Sequence, residues 1–385
     1  MPTQHTFLAA ALTVVFLLAA PASVTVAQLT CDDPPVEVHR FSSVWTLTDF
    51  CTAAPGVLAE IISGGVPRDG IPPIDDPVFD DLETARGWLA DQSPVLVFEL
   101  DGDARAYPLA IMTRHEIVND VFGDRAVAVT YCPLCNSAIV FDRAVDGAVL
   151  RFGVSGMLRN SDLVMWDSLT QSWWQQFTGE GIVGAYTGTQ LEMLPSQLVS
   201  FKAFAEQYPD GTVLSPQGRR YGSNPYTGYD SAPRPFLFAG TPDPRLPPTE
   251  RVLAGLVGGE PVAYPFSVLA DTGVVNDTVG GQDVVAFWQP GAASALDLSV
   301  IDASRDVGMA ALYSRELDGQ TLTFTLEADG AIRDEQTGST WNVFGTALAG
   351  ELAGSQLRQI VAGAHFWFAW AAFQPATGVY GLAAQ

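Results

Sequence analysis

The chain has 385 residues, 48% hydrophobic and 16% charged, which is long enough for two ordinary domains and too apolar for a disordered chain. Its 43 acidic against 19 basic residues give a net charge of −24, a surface that repels phosphate backbones and argues against a nucleic-acid partner. Solubility, as in a saline habitat, is the plain reading of that acidity, and four cysteines are too few for a disulfide-stapled scaffold.

In chain order, residues 7–20 (FLAAALTVVFLLAA) form an apolar run too short to span a bilayer comfortably, and it stops before Pro21. ASVTVAQ (22–28) comes next and offers a cut after Ala27, so residues 1–27 read as a secretory signal peptide, with His5 its only basic side chain. The alternative is an uncleaved anchor. Export to a periplasm or the extracellular space is the expectation, and in such an oxidising compartment Cys31 and Cys51, both in the N-terminal extension 28–69, can pair as a disulfide. No later stretch reaches some 18 uninterrupted apolar residues, so no integral membrane segment is expected in the mature chain.

The remainder repeats. Ala106-Tyr107-Pro108 and Val118-Asn119-Asp120 recur at one constant offset as Ala263-Tyr264-Pro265 and Val275-Asn276-Asp277. Asp167, Thr170 and Trp174 answer to Asp334, Thr337 and Trp341, and Gly179, Gly184, Gln190 and Leu191 to Gly345, Gly350, Gln356 and Leu357. This pattern predicts two homologous halves from an internal duplication, 70–215 and 245–385, joined by a Pro/Gly/Tyr-rich linker at 216–244. PVLVFEL (94–100) and RVLAGLV (251–257) open hairpins turned by Asp101-Gly102-Asp103 and Gly258-Gly259. AVAVTY (126–131), AIVFD (138–142), AVLRFGV (148–154) and QTLTFTLE (320–327) read as strands, and 200–208 and 364–373 as short helices ending before Pro209 and Pro375. The expected fold is therefore predominantly β (α+β), two β-rich halves with a few short helices. In the linker, Tyr221, Tyr226 and Tyr229 can pack and order the GSNPYTGYD segment.

Residues kept in both halves belong to what both folds need, and chemistry owned by one half should show as an asymmetry. Asn119 and Asp120 recur and so read as turn or cap residues. The sharpest asymmetry is Thr130-Tyr131-Cys132-Pro133-Leu134-Cys135-Asn136, whose counterpart near 286–295, AFWQPGAASA, has neither cysteine. His115 likewise falls opposite Thr272, and Glu116 opposite Gly273. Two thiolates at this spacing with an imidazole can hold one metal ion, and three chemistries fit. The first is a metal site of Cys132, Cys135 and His115, for which copper or zinc is favoured and iron also fits. The second is a dithiol–disulfide couple at the same cysteines, serving a redox partner. The third is a module binding a small molecule, with the cysteine pair a structural disulfide. Glu116 is a candidate for support of the ligands or for proton transfer. The polar loop Arg159-Asn160-Ser161-Asp162 lacks an alignable copy in the second half and can face the thiols, or be a turn with Arg159 paired to a carboxylate. Trp166, Trp173 and Trp174 with Gln175 and Gln176 suit a core or, less well, a ligand groove. His365 aligns with Val199 and reads as a core or edge residue. No nucleophile elbow, Walker loop, dinucleotide fingerprint or His-Glu-x-x-His is present, so the familiar hydrolase and nucleotide-enzyme readings lose most of their weight, and no catalytic residue is assigned.

DGIPPIDDP (69–77), AYPLAIMTRHEIVND (106–120), VTYCPLCNSAIVFDR (129–143) and SGMLRNSDLVMWD (155–167) resemble the bacterial and archaeal family DUF3179, a domain of unknown function. The likeness runs on through GSNPYTGYD (222–230) and DPRLPPTERVLAGLVGGEPVAYP (243–265). It implies no activity. It places the family's hallmark positions at His115, Cys132, Cys135, Asn136 and Asp142, with Asn136 standing where members often carry Gly.

Overall fold

The computed structural model describes Met1, Phe41 and residues 43–382, so the leader, the cut after Ala27, and Cys31 with its expected partnership with Cys51 lie outside the described residues. The chain is predominantly β, as expected. Among the described residues no helix is long and apolar enough to cross a membrane.

One series of elements occurs twice. Strands Pro94–Leu100 and Asp103–Pro108 form a hairpin, followed by the helix Leu109–His115 and the strands Ile117–Phe122 and Arg125–Cys132. Arg251–Val257, Glu260–Pro265, the helix Phe266–Thr272, Val274–Val279 and Gln282–Gln289 repeat it with element lengths of 7, 6, 7, 6 and 8 residues in both places. Both hairpins turn through two residues of positive φ, Asp101 and Gly102 (51° and 87°) or Gly258 and Gly259 (58° and 86°). Such turns match the right-handed twist of the strands they join. Each hairpin gains an antiparallel strand at one edge, Gln197–Ser200 or Ala362–Phe366, and a short parallel one at the other, Thr212–Leu214 or Gly378–Val379.

The shared residues bridge strands rather than cap turns. Tyr107 donates to Asp120 as Tyr264 does to Asp277. The Asn119 and Asn276 side chains each exchange two hydrogen bonds with a backbone residue of another strand, Phe152 and Phe324, at 2.8 and 2.9 Å in both halves. These are mid-strand positions, which corrects the turn assignment. The helix expected over 364–373 is also shorter: Ala362–Phe366 pairs with Arg251–Val257, and the helix is Trp367–Phe373. Pairing along the hairpin edge captures those residues before their helical periodicity can. AVLRFGV divides between Ala148–Val149 and a longer strand Phe152–Arg159, and QTLTFTLE between Gln320–Thr321 and Phe324–Leu326.

The two largest apolar cores each draw on both halves. One joins Val129, Val140 and Met165 with Ala254, Phe366 and Trp370, and the other joins Val95, Val97 and Phe204 with Phe287, Tyr313 and Trp341. Trp173 and Trp174 are fully buried, so they line a core and not a groove. Tyr221, Tyr226 and Tyr229 pack on the first core and order the stretch between the halves.

Candidate metal centre

The strand Arg125–Cys132 carries Cys132 to its end, where Pro133, Leu134 and Cys135 make one 3-10 turn. Asn136 closes the turn in the left-handed region (φ 49°), and the chain returns along Ser137–Asp142. Asn adopts that conformation more readily than most side chains, which accounts for Asn closing the turn. A tight hairpin tip thus turns both sulfurs inward, with Cys132 2% and Cys135 0% exposed and neither joined in a disulfide.

The third member of the group is Asp162, at the start of the strand Asp162–Asp167 after a turn through Asn160 and Ser161. One ligand atom each of Cys132, Cys135 and Asp162 lie within 4.8 Å of one another, all three residues buried. Oδ2 of Asp162 accepts hydrogen bonds from Gln175 Nε2 at 2.6 Å and from the backbone N–H of Phe177 at 2.9 Å. Oδ1, equally buried, receives no N–H or O–H donor. Arg159, from the same turn, pairs with Glu60, as the alternative for that loop anticipated.

His115 is not in this group. Its Nδ1 lies 2.7 Å from the carbonyl oxygen of Pro72 and its Nε2 3.2 Å from the Tyr221 hydroxyl, so both ring nitrogens are engaged elsewhere. The reason is local. The helix Leu109–His115 ends on Glu116, which takes a left-handed conformation (φ 58°) and reverses the chain. The side chains of His115 and Glu116 therefore diverge, and Glu116 is the one whose charge is felt at Cys132 and Asp162. The structure brings together Cys132, Cys135 and Asp162 with Glu116 nearby, where residue types and spacing had suggested His115 as third ligand. The polar run 159–162, unmatched in the second half, was the available signal for Asp162.

The electrostatics are those of a site short of positive charge. Burial pushes the Glu116 carboxyl up to about 8, with the neighbouring Asp162 adding to the rise. Burial likewise raises Asp162 to about 7 against the hydrogen bonds from Gln175, Phe177 and the thiols of Cys132 and Cys135. Both thiols are raised, first by burial, Cys135 well above its ordinary value. Among the described residues no Arg or Lys pairs with Glu116 or Asp162. Four acidic groups buried together without a cation are held protonated, or else await one.

A cavity of about 780 Å3 adjoins the group, lined by Glu116, Leu134, Leu163, Tyr226, Tyr229 and Arg234 among others. The stretch between the halves supplies one wall, and the Tyr229 hydroxyl donates to the Leu134 carbonyl within the Cys-x-x-Cys turn at 2.9 Å.

Residues 68–377 match the family model described as "Protein of unknown function (DUF3179)", and the chain belongs to that family. No curated protein and no solved structure matches it.

Proposed function

We propose that this DUF3179 member holds one metal ion through the thiolates of Cys132 and Cys135 and the carboxylate of Asp162. The observation that carries the reading is Oδ1 of Asp162, fully buried beside two thiols with no N–H or O–H partner. The Cys132 and Cys135 thiols are the hydrogen-bonding neighbours of this carboxylate, and thiols are weak donors. A poorly satisfied buried acceptor costs about 1–3 kcal/mol, and a cation bound by it and two thiolates removes that cost. Two sulfurs and an oxygen form a mixed set suited to zinc or iron(II); the carboxylate makes copper(I), which prefers softer donors, a poorer fit than an imidazole would have. When bound, the ion would supply Lewis-acid or redox chemistry at the cavity. The protein's part is positioning: Gln175 and Phe177 fix Asp162, and the hairpin tip fixes the sulfurs.

Because burial raises both thiols, a metal-free dithiol couple has little thiolate with which to exchange, which favours the metal over the redox reading. The cavity beside the centre suits a small molecule, in keeping with a small-molecule partner. The repeated element series supports homologous halves at 70–215 and 245–385, and the leader composition supports export.

The test is metal content by mass spectrometry with a thiol count, on protein recovered from a periplasm with its N-terminus beginning at Gln28. We expect near-stoichiometric metal in the native protein and in His115→Ala, and its loss in Cys132→Ser/Cys135→Ser and in Asp162→Asn. Metal-free native protein with no free thiols would overturn the reading in favour of a disulfide.

A further inference from the structure

A second cavity, about 660 Å3, shares no lining residue with the first and is walled by Ile139, Phe177, Leu194, Leu256, His365 and Trp370 among others. His365 is 4% exposed, its ring makes no hydrogen bond with any described residue, and its Nδ1 is buried without a partner. The imidazole stacks on Trp370 (ring centroids 5.9 Å apart, planes 6° apart) and lies 4.8 Å from the Phe177 ring.

The fold does not require a histidine there. His365 sits opposite Val252 on its hairpin, and the matching position opposite Val95 is Val199, which packs at 1% exposure. Two residues earlier on the same face the first half has Gln197, whose amide bonds Tyr313 and the Val343 carbonyl; the second half has Gly363. A Cβ at Gly363 would lie 2.9 Å from Cε1 and Nε2 of His365, so the missing side chain makes room for the ring. A ring accommodated at one residue's expense and left without a hydrogen bond is organised for something outside the chain.

We propose that this cavity binds an uncharged, ring-bearing alcohol or phenol whose hydroxyl hydrogen-bonds the His365 imidazole. The walls are mainly aliphatic and aromatic, and Glu180 is the one charged side chain among the lining residues. With no basic group and a chain of net charge −24, anions are disfavoured. Burial keeps the imidazole neutral at ordinary pH, so it can accept a proton-bearing hydroxyl or donate to its oxygen. The volume takes one or two fused rings against Phe177 and Trp370. This site goes beyond the metal reading and stands without it.

The test titrates 2-naphthol and, in parallel, 2-methoxynaphthalene, which lacks the donor, into the full exported chain. Variants are His365→Val, which installs the first half's residue, and Gly363→Ala, which crowds the ring. We expect one-site binding of 2-naphthol to native protein, weakened about tenfold or more in both variants, the loss of one good hydrogen bond. 2-Methoxynaphthalene should bind native and His365→Val protein alike. In native protein labelled with 15N-histidine, the His365 ring resonances should move on adding 2-naphthol. Equal 2-naphthol affinity in native and variant proteins, an unmoved His365 signal, or no binding up to the solubility of the probe would each overturn the proposal. The native-protein spectrum decides even where a variant does not fold.

Discussion

At the end of the first helix of each series the two halves make the same left-handed turn with different residues, Glu116 at φ 58° and Gly273 at φ 65°. Gly needs no explanation there: the conformation suits it, and a Cβ at Gly273 would meet Leu326 at 2.6 Å. Glu116 occupies the same backbone strained, buried and without a cation. In the hairpin edges the roles reverse, with Val199 ordinary and His365 buried without a partner. What one half shows to be dispensable for folding is, in the other half, available for chemistry. Conversely, Asp167 and Asp334 are held identically, each accepting from a tryptophan indole (3.0 and 2.9 Å) and from a threonine backbone N–H (2.6 Å in both).

The comparison breaks most visibly if the shared features turn out not to be structural. Asp167→Ala strands the buried Trp174 indole and Thr170 backbone, and Asp334→Ala strands the buried Trp341 indole and the half-buried Thr337 backbone. Loss of several charge-assisted bonds in a buried network predicts destabilisation of about 3 kcal/mol at either site, read from denaturant unfolding of each variant. A large loss in one half with none in the other would show that the matched networks do different work.

Much of this is legible in the residues alone. The hairpins and the paired Asp–Thr–Trp motifs come from turn residues and repetition, because local geometry decides them, whereas the seven-residue helix after each Ala-Tyr-Pro is too short to show a helical period. The strand at 364–366 is not legible, since its partner is more than a hundred residues away and its own residues are as helical in pattern as 367–373. The cysteine turn is visible as an asymmetry, but imidazole is the familiar companion of paired thiols, and that chemistry points to His115. Which of two adjacent side chains faces the sulfurs depends on the left-handed residue between helix and strand, and φ at Glu116 is set by the turn, not by composition. Asp162 is visible only as part of an unmatched polar loop.

A sharper test uses pH. The His365 imidazole is held down to about 3 by burial, below its ordinary 6.5. The native state then binds fewer protons than the unfolded chain between those values. Stability attributable to His365 is full above pH 6.5 and is lost as pH falls, by about 1.4 kcal/mol per unit while the gap is open. His115 is also lowered by burial, so the native curve holds both contributions. The difference between native and His365→Val unfolding free energies, measured from pH 7.5 to 5, should isolate the first and grow steadily below 6.5. A flat difference would mean that water or another group reaches the ring in the folded state.

The smallest expected effect is the most pointed. Glu116→Gly gives the first half the second half's residue at the same turn. It relieves a left-handed non-glycine residue, worth about 1–2 kcal/mol, and removes a buried carboxyl, while the added freedom of glycine in the unfolded chain returns about 0.5–1 kcal/mol. Near pH 4, where the carboxyl is protonated in folded and unfolded chain alike, a net gain of about 1 kcal/mol in metal-free protein is the expectation. Its pH dependence comes from the raised carboxyl: the folded state keeps a proton on Glu116 up to about 8 that the unfolded chain releases near 4.5. Native stability from that group is therefore present below 4.5 and lost as pH rises through 8, so the advantage of the glycine variant should be least near pH 4 and greatest near pH 8. A variant less stable than native protein across that range would place Glu116 among the residues the fold itself requires. A variant more stable yet altered in what the adjoining cavity binds would mark Glu116 as kept for the centre beside it.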